Sequence, residues 1–126
     1  MDARRQLISN GNPMEEVVGF SRAVRVGPYI SVGGTAPVDG DGKTVGLGDV
    51  YAQTRQCFEI IREALEQAGS GLHDIVRTRV ILTDIDFIED IRKRIEIRIQ
   101  QSMAYFYPLK DREKAVEEMA DNSLAL

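Results

Sequence analysis

The sequence predicts a single α+β domain in which two helices pack on one face of a mixed β-sheet. Its 126 residues suit one domain. Apolar and polar residues alternate over 20–26, as in a half-buried strand. Over 49–68, apolar residues recur every three or four positions, as in an amphipathic helix. Because each helix has one apolar stripe to bury, a sheet with both helices on one face is the economical packing.

The first third of the chain predicts a short strand and a hairpin. Residues 4–8 can form the first strand, and Ser-Asn-Gly-Asn-Pro at 9–13 is typical of a turn. The alternating segment resumes after Gly27-Pro28, so residues 20–33 are interpreted as a β-hairpin. The glycine-rich segment 38–43 predicts a loop.

The helix predicted over 49–68 has a start signal, a stop signal and an apolar face. Asp49 can accept a hydrogen bond as the N-cap residue, and Gly69 can end the helix. The apolar face consists of residues with helical spacing: Tyr51, Thr54, Phe58, Ile61, Leu65 and Ala68.

A strand and a second helix are predicted next. Residues 75–82 are rich in β-branched residues, with Arg77 and Arg79 on one face. A helix then starts near Phe87, with Asp84 or Asp86 as its cap.

The last third predicts one more strand and a short helix. Residues 103–107 are mostly aromatic, which favours a strand ended by Pro108, and 111–120 favour a helix on local propensity. The predicted order is β-β-β-α-β-α-β. Helices on one face leave the other sheet face partly apolar, and association of subunits could cover it.

Composition excludes several classes of site. Cys57 is the only cysteine and His73 the only histidine, so one chain can form neither an intrachain disulfide nor a multi-ligand Cys/His zinc site. No stretch approaches the roughly 18 apolar residues that span a bilayer. The charged start lacks the apolar run of a secretory signal. We expect a cytoplasmic protein without membrane partners.

The charge distribution leaves two interpretations open. The formal net charge is −4 and the pI is about 5.0, which does not require a nucleic-acid partner. Four basic residues nevertheless cluster near the predicted second helix: Arg92, Lys93, Arg94 and Arg98. A solvated helix face is the more common meaning of such a cluster, and a nucleic-acid contact is the alternative.

Three segments together resemble the RidA/YjgF family. Residues 20–37 (FSRAVRVGPYISVGGTAP) resemble its paired strands, and 49–61 (DVYAQTRQCFEII) resemble its first helix. Residues 65–84 (LEQAGSGLHDIVRTRVILTD) resemble its helix-turn-strand segment. The likeness covers about 16–91, and residues 92–126 of the single predicted domain diverge from the family pattern.

The resemblance implies a chorismate-mutase-like fold, a homotrimer and ligand clefts between neighbouring subunits. Members of the family hydrolyse reactive enamines and imines, releasing ammonia and a 2-oxo acid, and they need no metal or bound cofactor. Some relatives carry ribonuclease or translation-inhibitor labels. The expected ligand is therefore a small imino acid or a related carboxylate.

The family motif points to three residues at the two ends of the predicted hairpin. Gly34 matches the glycine of the family's Ser-Gly pair, whose backbone amide faces the ligand, and Gly33 replaces the serine. The alternative is that both glycines only permit a tight strand end. Phe20 matches an aromatic position that lines the cleft, and a plain core phenylalanine is the alternative.

Carboxylate capture is where the chain departs from the family. Active members use an arginine, whose fork matches a carboxylate with two hydrogen bonds. In the nearest alignment Gln101 occupies that position, and Arg98, three residues earlier, could substitute. Glu117 aligns with the glutamate that orders the attacking water.

Two lone side chains are interpreted as structural. His73 is expected in an exposed turn, and Cys57 is expected as a buried thiol rather than a nucleophile.

The sequence thus leaves two functions. One is hydrolysis of 2-imino acids at an intersubunit cleft, with Glu117 as the catalytic group. The other is a non-catalytic protein of the same fold that binds a small metabolite or RNA.

Overall fold

The computed structural model describes residues 5–84 and 86, together with the backbone of residues 103–108. The chain divides between Asp74 and Ile75 into two compact units. The first unit contains a three-stranded antiparallel sheet and two helices, and the described part of the second contains two paired strands. The structure is α+β, as predicted.

The sheet of the first unit has the order β1-β2-β3. Its strands are β1 (Arg5–Ile8), β2 (Ala23–Val26) and β3 (Tyr29–Val32). β2 and β3 form the predicted hairpin, joined through Gly27 and Pro28. Gly27 has a φ of 58°, which a residue with a side chain adopts only with strain, so this position favours glycine.

A five-residue helix, α1 (Met14–Val18), follows β1 and was not predicted. Pro13 precedes it, and Gly19 ends it at a φ of 85° with its amide donating to the Glu15 carbonyl oxygen at 2.9 Å. The Glu15 carboxylate also accepts a hydrogen bond from the Asn10 amide at 3.2 Å. Periodicity did not reveal α1 because five residues cover little more than one helical turn.

The long helix α2 (Val50–Gln67) confirms the prediction to within a residue at each end. The Asp49 carboxylate accepts a hydrogen bond from the Ala52 amide at 3.1 Å, so Asp49 is the N-cap residue. At the other end, Gly69 has a φ of 84° and the Ser70 amide donates to the Leu65 carbonyl at 2.8 Å. This pairing satisfies a terminal carbonyl that the helix itself leaves free.

The core of the first unit lies between the sheet and α2. Four buried residues form it, each at most 3% exposed: Ile8, Ala23, Ala64 and Ala68. Ile30 and Val32 pack against them from β3. Three of the four core residues are alanines, so the helix can approach the sheet closely.

The opposite face of this sheet is partly apolar, as predicted. Pairing places Leu7, Val24 and Ser31 on that face, together with Val26 and Tyr29. Leu7, Val26 and Tyr29 are 44–79% exposed. We call these three residues the outer sheet face.

In the second unit, β4 (Arg77–Leu82) pairs in parallel with β5 (Met103–Pro108). The register runs from Arg77 opposite Met103 to Leu82 opposite Pro108. These strands confirm the predictions over 75–82 and 103–107. The helices predicted from Phe87 and over 111–120 lie outside the described residues.

A single turn of 3₁₀-helix, Leu72–Asp74, precedes β4 in the chain and belongs to the first unit. In the part of the chain that the structure describes, no helix combines the length and apolar character needed to cross a membrane.

We expect Asp49→Ala to lower the free energy of unfolding by about 1 kcal/mol, because the Ala52 amide loses its partner at the start of α2. Urea denaturation followed by circular dichroism measures this change. Asp41→Ala is the matched control, since the Asp41 side chain is exposed in the loop before α2. An equal loss in both variants would contradict the capping role.

Candidate functional site

Arg22 is a buried cation at the start of β2 and was not among the residues predicted from the sequence. Its side chain leaves only 4% of the residue exposed. Its amide donates to the Ile8 carbonyl at 2.8 Å, and its carbonyl accepts from the Gly33 amide at 2.9 Å. Arg22 is therefore held by main-chain bonds from both neighbouring strands.

The guanidinium of Arg22 lies between an aromatic ring and a backbone carbonyl. Its Nη2 donates a hydrogen bond to the Gly34 carbonyl oxygen, and its Cζ lies 5.6 Å from the centroid of the Phe20 ring. The ring face attracts a cation at this distance. Its Nε is buried and has no hydrogen-bond partner among the described residues.

The charge of Arg22 is only partly compensated by its surroundings. Burial lowers the pKa of Arg22, because a charged group loses hydration there, while the nearby Glu15 and Cys57 raise that pKa. Within residues 5–84, no carboxylate forms an ion pair with it. An arginine stays protonated under such conditions, so the site keeps a positive charge.

The Arg22 side chain explains why residue 33 is a glycine. A Cβ atom at Gly33 would lie 2.9 Å from Arg22 Nη2 and 3.5 Å from the Arg22 and Ser21 carbonyl oxygens. Gly33 does not have a positive φ, so the constraint is space and not backbone conformation. Glycine at position 33 therefore leaves room for the Arg22 guanidinium.

Gly34 has a different environment from Gly33. Among the described residues, no atom lies within 4 Å of the position that a Cβ would occupy, so open space adjoins this residue. The structure thus brings Phe20, Gly33 and Gly34 together around one buried cation.

Helix α2 holds the segment that follows Gly34. The Thr35 hydroxyl donates to the Gly33 carbonyl at 2.9 Å, and the Cys57 thiol on α2 donates to the Thr35 carbonyl at 3.4 Å. The Gln56 side-chain amide donates to the Val38 carbonyl at 2.7 Å. These bonds fix the backbone that leads away from the site.

Cys57 has the properties of a structural thiol. Burial raises its pKa, and the charge of Arg22 opposes this effect. A thiol with a raised pKa is a poor nucleophile at neutral pH, because the thiolate is the reactive form. Cys57 is half-buried rather than buried as expected, and its raised pKa agrees with a structural role.

Phe20 is half-buried and lies outside the buried cluster of the first unit. Its described contact is with the guanidinium of Arg22. Phe20 thus contacts the cation and is not part of the cluster formed by Ile8, Ala23, Ala64 and Ala68.

Arg25 lies in β2, and its side chain contacts the C-terminal end of α2. Its Nε donates to the Gly27 carbonyl at 2.9 Å, and its Nη1 donates to the Ala68 carbonyl at the end of α2. A cation at a helix C-terminus stabilises the carbonyls exposed there. Arg22, just before β2, and Arg25, within β2, therefore have separate roles.

A polar groove of about 350 Å³ lies elsewhere in the first unit, between the start of the loop over 38–43 and α2. Its lining includes Asp39, Glu59 and Glu63, so it disfavours anions. The Asp39 carboxylate already accepts bonds from the Asp41 and Lys43 amides. Of the two sites, only the one at Arg22 has the charge to hold a carboxylate.

Several predicted residues lie outside the described part of the chain. These are Arg98, Gln101 and Glu117, together with the basic residues Arg92, Lys93 and Arg94. Among the described residues, no group of three or more His, Cys, Asp or Glu side chains could hold a metal ion. His73 is exposed in its turn, as predicted, with Nε2 3.5 Å from Asp74 Oδ2.

Known families and proteins match this chain over most of its length. The profile of the family described as Endoribonuclease L-PSP matches residues 11–108. The uncharacterized protein SCO2049 of Streptomyces coelicolor is 37% identical over 91 residues, which cover 70% of this chain and 67% of that protein. A RutC family protein of Pyrococcus abyssi is 35% identical over 98 residues, covering 78% and 72%.

Solved structures with a similar fold include members of the same family. Rv2704 of Mycobacterium tuberculosis, described as a member of the YjgF/YER057c/UK114 family, has 36% identity and a TM-score of 0.70, covering 82% of this chain and 83% of its own. The YjgF gene product of E. coli has the same fold, with a TM-score of 0.69 at 23% identity and coverage of 82% and 84%. The chain belongs to the RidA/YjgF family, also called the L-PSP endoribonuclease family.

Proposed function

We propose that the protein hydrolyses 2-imino acids to 2-oxo acids and ammonia. Water adds to the imine carbon, the carbon–nitrogen bond breaks, and the nitrogen leaves as ammonia. One observation in particular supports this: a buried guanidinium without an ion pair among residues 5–84 donates a hydrogen bond to the Gly34 carbonyl oxygen. Gly34 matches the glycine whose backbone faces the ligand in the family.

The reaction needs an anchor, an ordered water and a proton for the leaving nitrogen. We assign the water to Glu117 on its alignment with the family's late acidic strand. Phe20 and the backbone at Gly33 and Gly34 line the ligand, while Gln101 and Arg98 lie in the segment that carries the family arginine. The proposed chemistry requires no metal or bound cofactor.

The proposal includes a homotrimer of single-domain subunits, with residues 92–126 completing the domain. The outer sheet face supports association, because Leu7, Val26 and Tyr29 present apolar surface to solvent in one subunit. A second subunit that covered this face would remove the surface from water. In this proposal the ligand cleft lies between neighbouring subunits.

The activity is tested by coupling the protein to an L-amino-acid oxidase that generates 2-iminobutanoate, and by measuring ammonia release. We expect release faster than in the oxidase blank, and we expect Glu117→Gln to lower the rate about a hundredfold, since an acid–base group contributes on that order. Asp41→Ala is the matched acidic control and should leave the rate unchanged. A wild-type rate equal to the blank would contradict the function.

The assembly is tested with Leu7→Asp, which introduces a charge on the outer sheet face. We expect the variant to shift from a trimer toward a monomer in size-exclusion chromatography with light scattering, because burying an unpaired carboxylate is unfavourable. Leu47→Asp is the matched control, since Leu47 is 83% exposed in the loop before α2. A trimer that persists in Leu7→Asp would show that the interface lies elsewhere.

A further inference from the structure

We infer that Arg22 supplies the positive charge that holds the carboxylate of the substrate at Gly34. This inference rests on the proposed function for the identity of the ligand, a 2-imino or 2-oxo acid. It places the anchoring charge on β2, far along the chain from Gln101 and Arg98.

The burial of Arg22 is the first argument. A buried cation without a paired anion is unfavourable, and Arg22 is 4% exposed without an ion pair among residues 5–84. Its hydrogen bond to Gly34 and the Phe20 ring compensate for only part of the lost hydration. A carboxylate next to Gly34 would complete this compensation.

Unused hydrogen-bonding capacity is the second argument. Nε of Arg22 has no partner, although buried N–H groups are ordinarily hydrogen-bonded. Nη2 carries two hydrogens, and the Gly34 carbonyl needs only one of them. The guanidinium thus retains N–H groups that none of the described residues uses.

The local backbone is the third argument. A side chain at residue 33 would displace the guanidinium, and glycine at this position leaves room for it. None of the described residues has an atom within 4 Å of the position that a Cβ at Gly34 would occupy, so this side of Gly34 is open to a small acid. The replacement of the family serine by Gly33 and the presence of Arg22 therefore form one arrangement.

The test measures binding of 2-oxobutanoate, the product, by isothermal titration calorimetry on the full-length protein. We expect Arg22→Met to weaken binding about ten- to a hundredfold, as for the loss of a charge-assisted hydrogen bond. Arg22→Lys should retain part of the affinity because it keeps the charge. Arg25→Met is the matched control: it removes hydrogen bonds from the same strand to backbone carbonyls and should leave the affinity unchanged.

The neutral amide of 2-oxobutanoate tests whether Arg22 recognises the charge of the ligand or its shape. We expect Arg22→Met to change its affinity little, since it carries no carboxylate. Wild-type affinity for 2-oxobutanoate in Arg22→Met, or no binding by the wild type, would overturn the inference.

Gly33→Ala decides the matter if Arg22→Met does not fold. The added Cβ pushes Nη2 away from its position while the charge stays in the chain. We expect weaker binding of 2-oxobutanoate by this variant, and unchanged binding would overturn the inference.

The inference and the proposed function fail separately. Binding that depends on Arg22, without any imine hydrolysis, would overturn the function and support the anchor. Hydrolysis by the wild type together with unchanged binding and rate in a folded Arg22→Met would overturn the anchor and support the function.

Discussion

The close approach of α2 to the sheet is the constraint on which the first unit depends. Ala23 on β2 and Ala64 and Ala68 on α2 form its buried contact together with Ile8. Larger side chains at these positions would separate the layers, because protein interiors are close-packed and have little space to absorb added volume. The alanines therefore set the distance between helix and sheet.

That distance decides which polar groups can meet. Arg25 on β2 reaches the Ala68 carbonyl at the end of α2, and Cys57 on α2 reaches the Thr35 carbonyl after β3. Both bonds link the helix to the hairpin by way of the main chain. These bonds hold the segment that contains Gly33 and Gly34. The positions of the site residues therefore depend on how α2 packs against the sheet.

The position of Arg22 gives a structural reason for the glycine at residue 33. In the sequence, Gly33 looks like a departure from a functional serine, and its cause is not visible there. In the structure, the space that a side chain would need at residue 33 is occupied by the guanidinium of Arg22. The guanidinium occupies this space and stays hydrogen-bonded to the Gly34 carbonyl oxygen, so the site keeps a cation close to Gly34.

The sequence by itself determined the elements whose signals are local: the hairpin with its turn at Gly27, and α2 with Asp49 at its start and Gly69 at its end. Hydrophobic periodicity and turn chemistry act over a few residues, so they can be recognised without tertiary contacts. The helix α1 was missed because it is too short to show a period. Only the tertiary structure decided the burial of Arg22, since an arginine in an alternating strand is expected to face water. Its position depends on Gly33 and Gly34, more than ten residues away, which pairing of β2 with β3 brings alongside it.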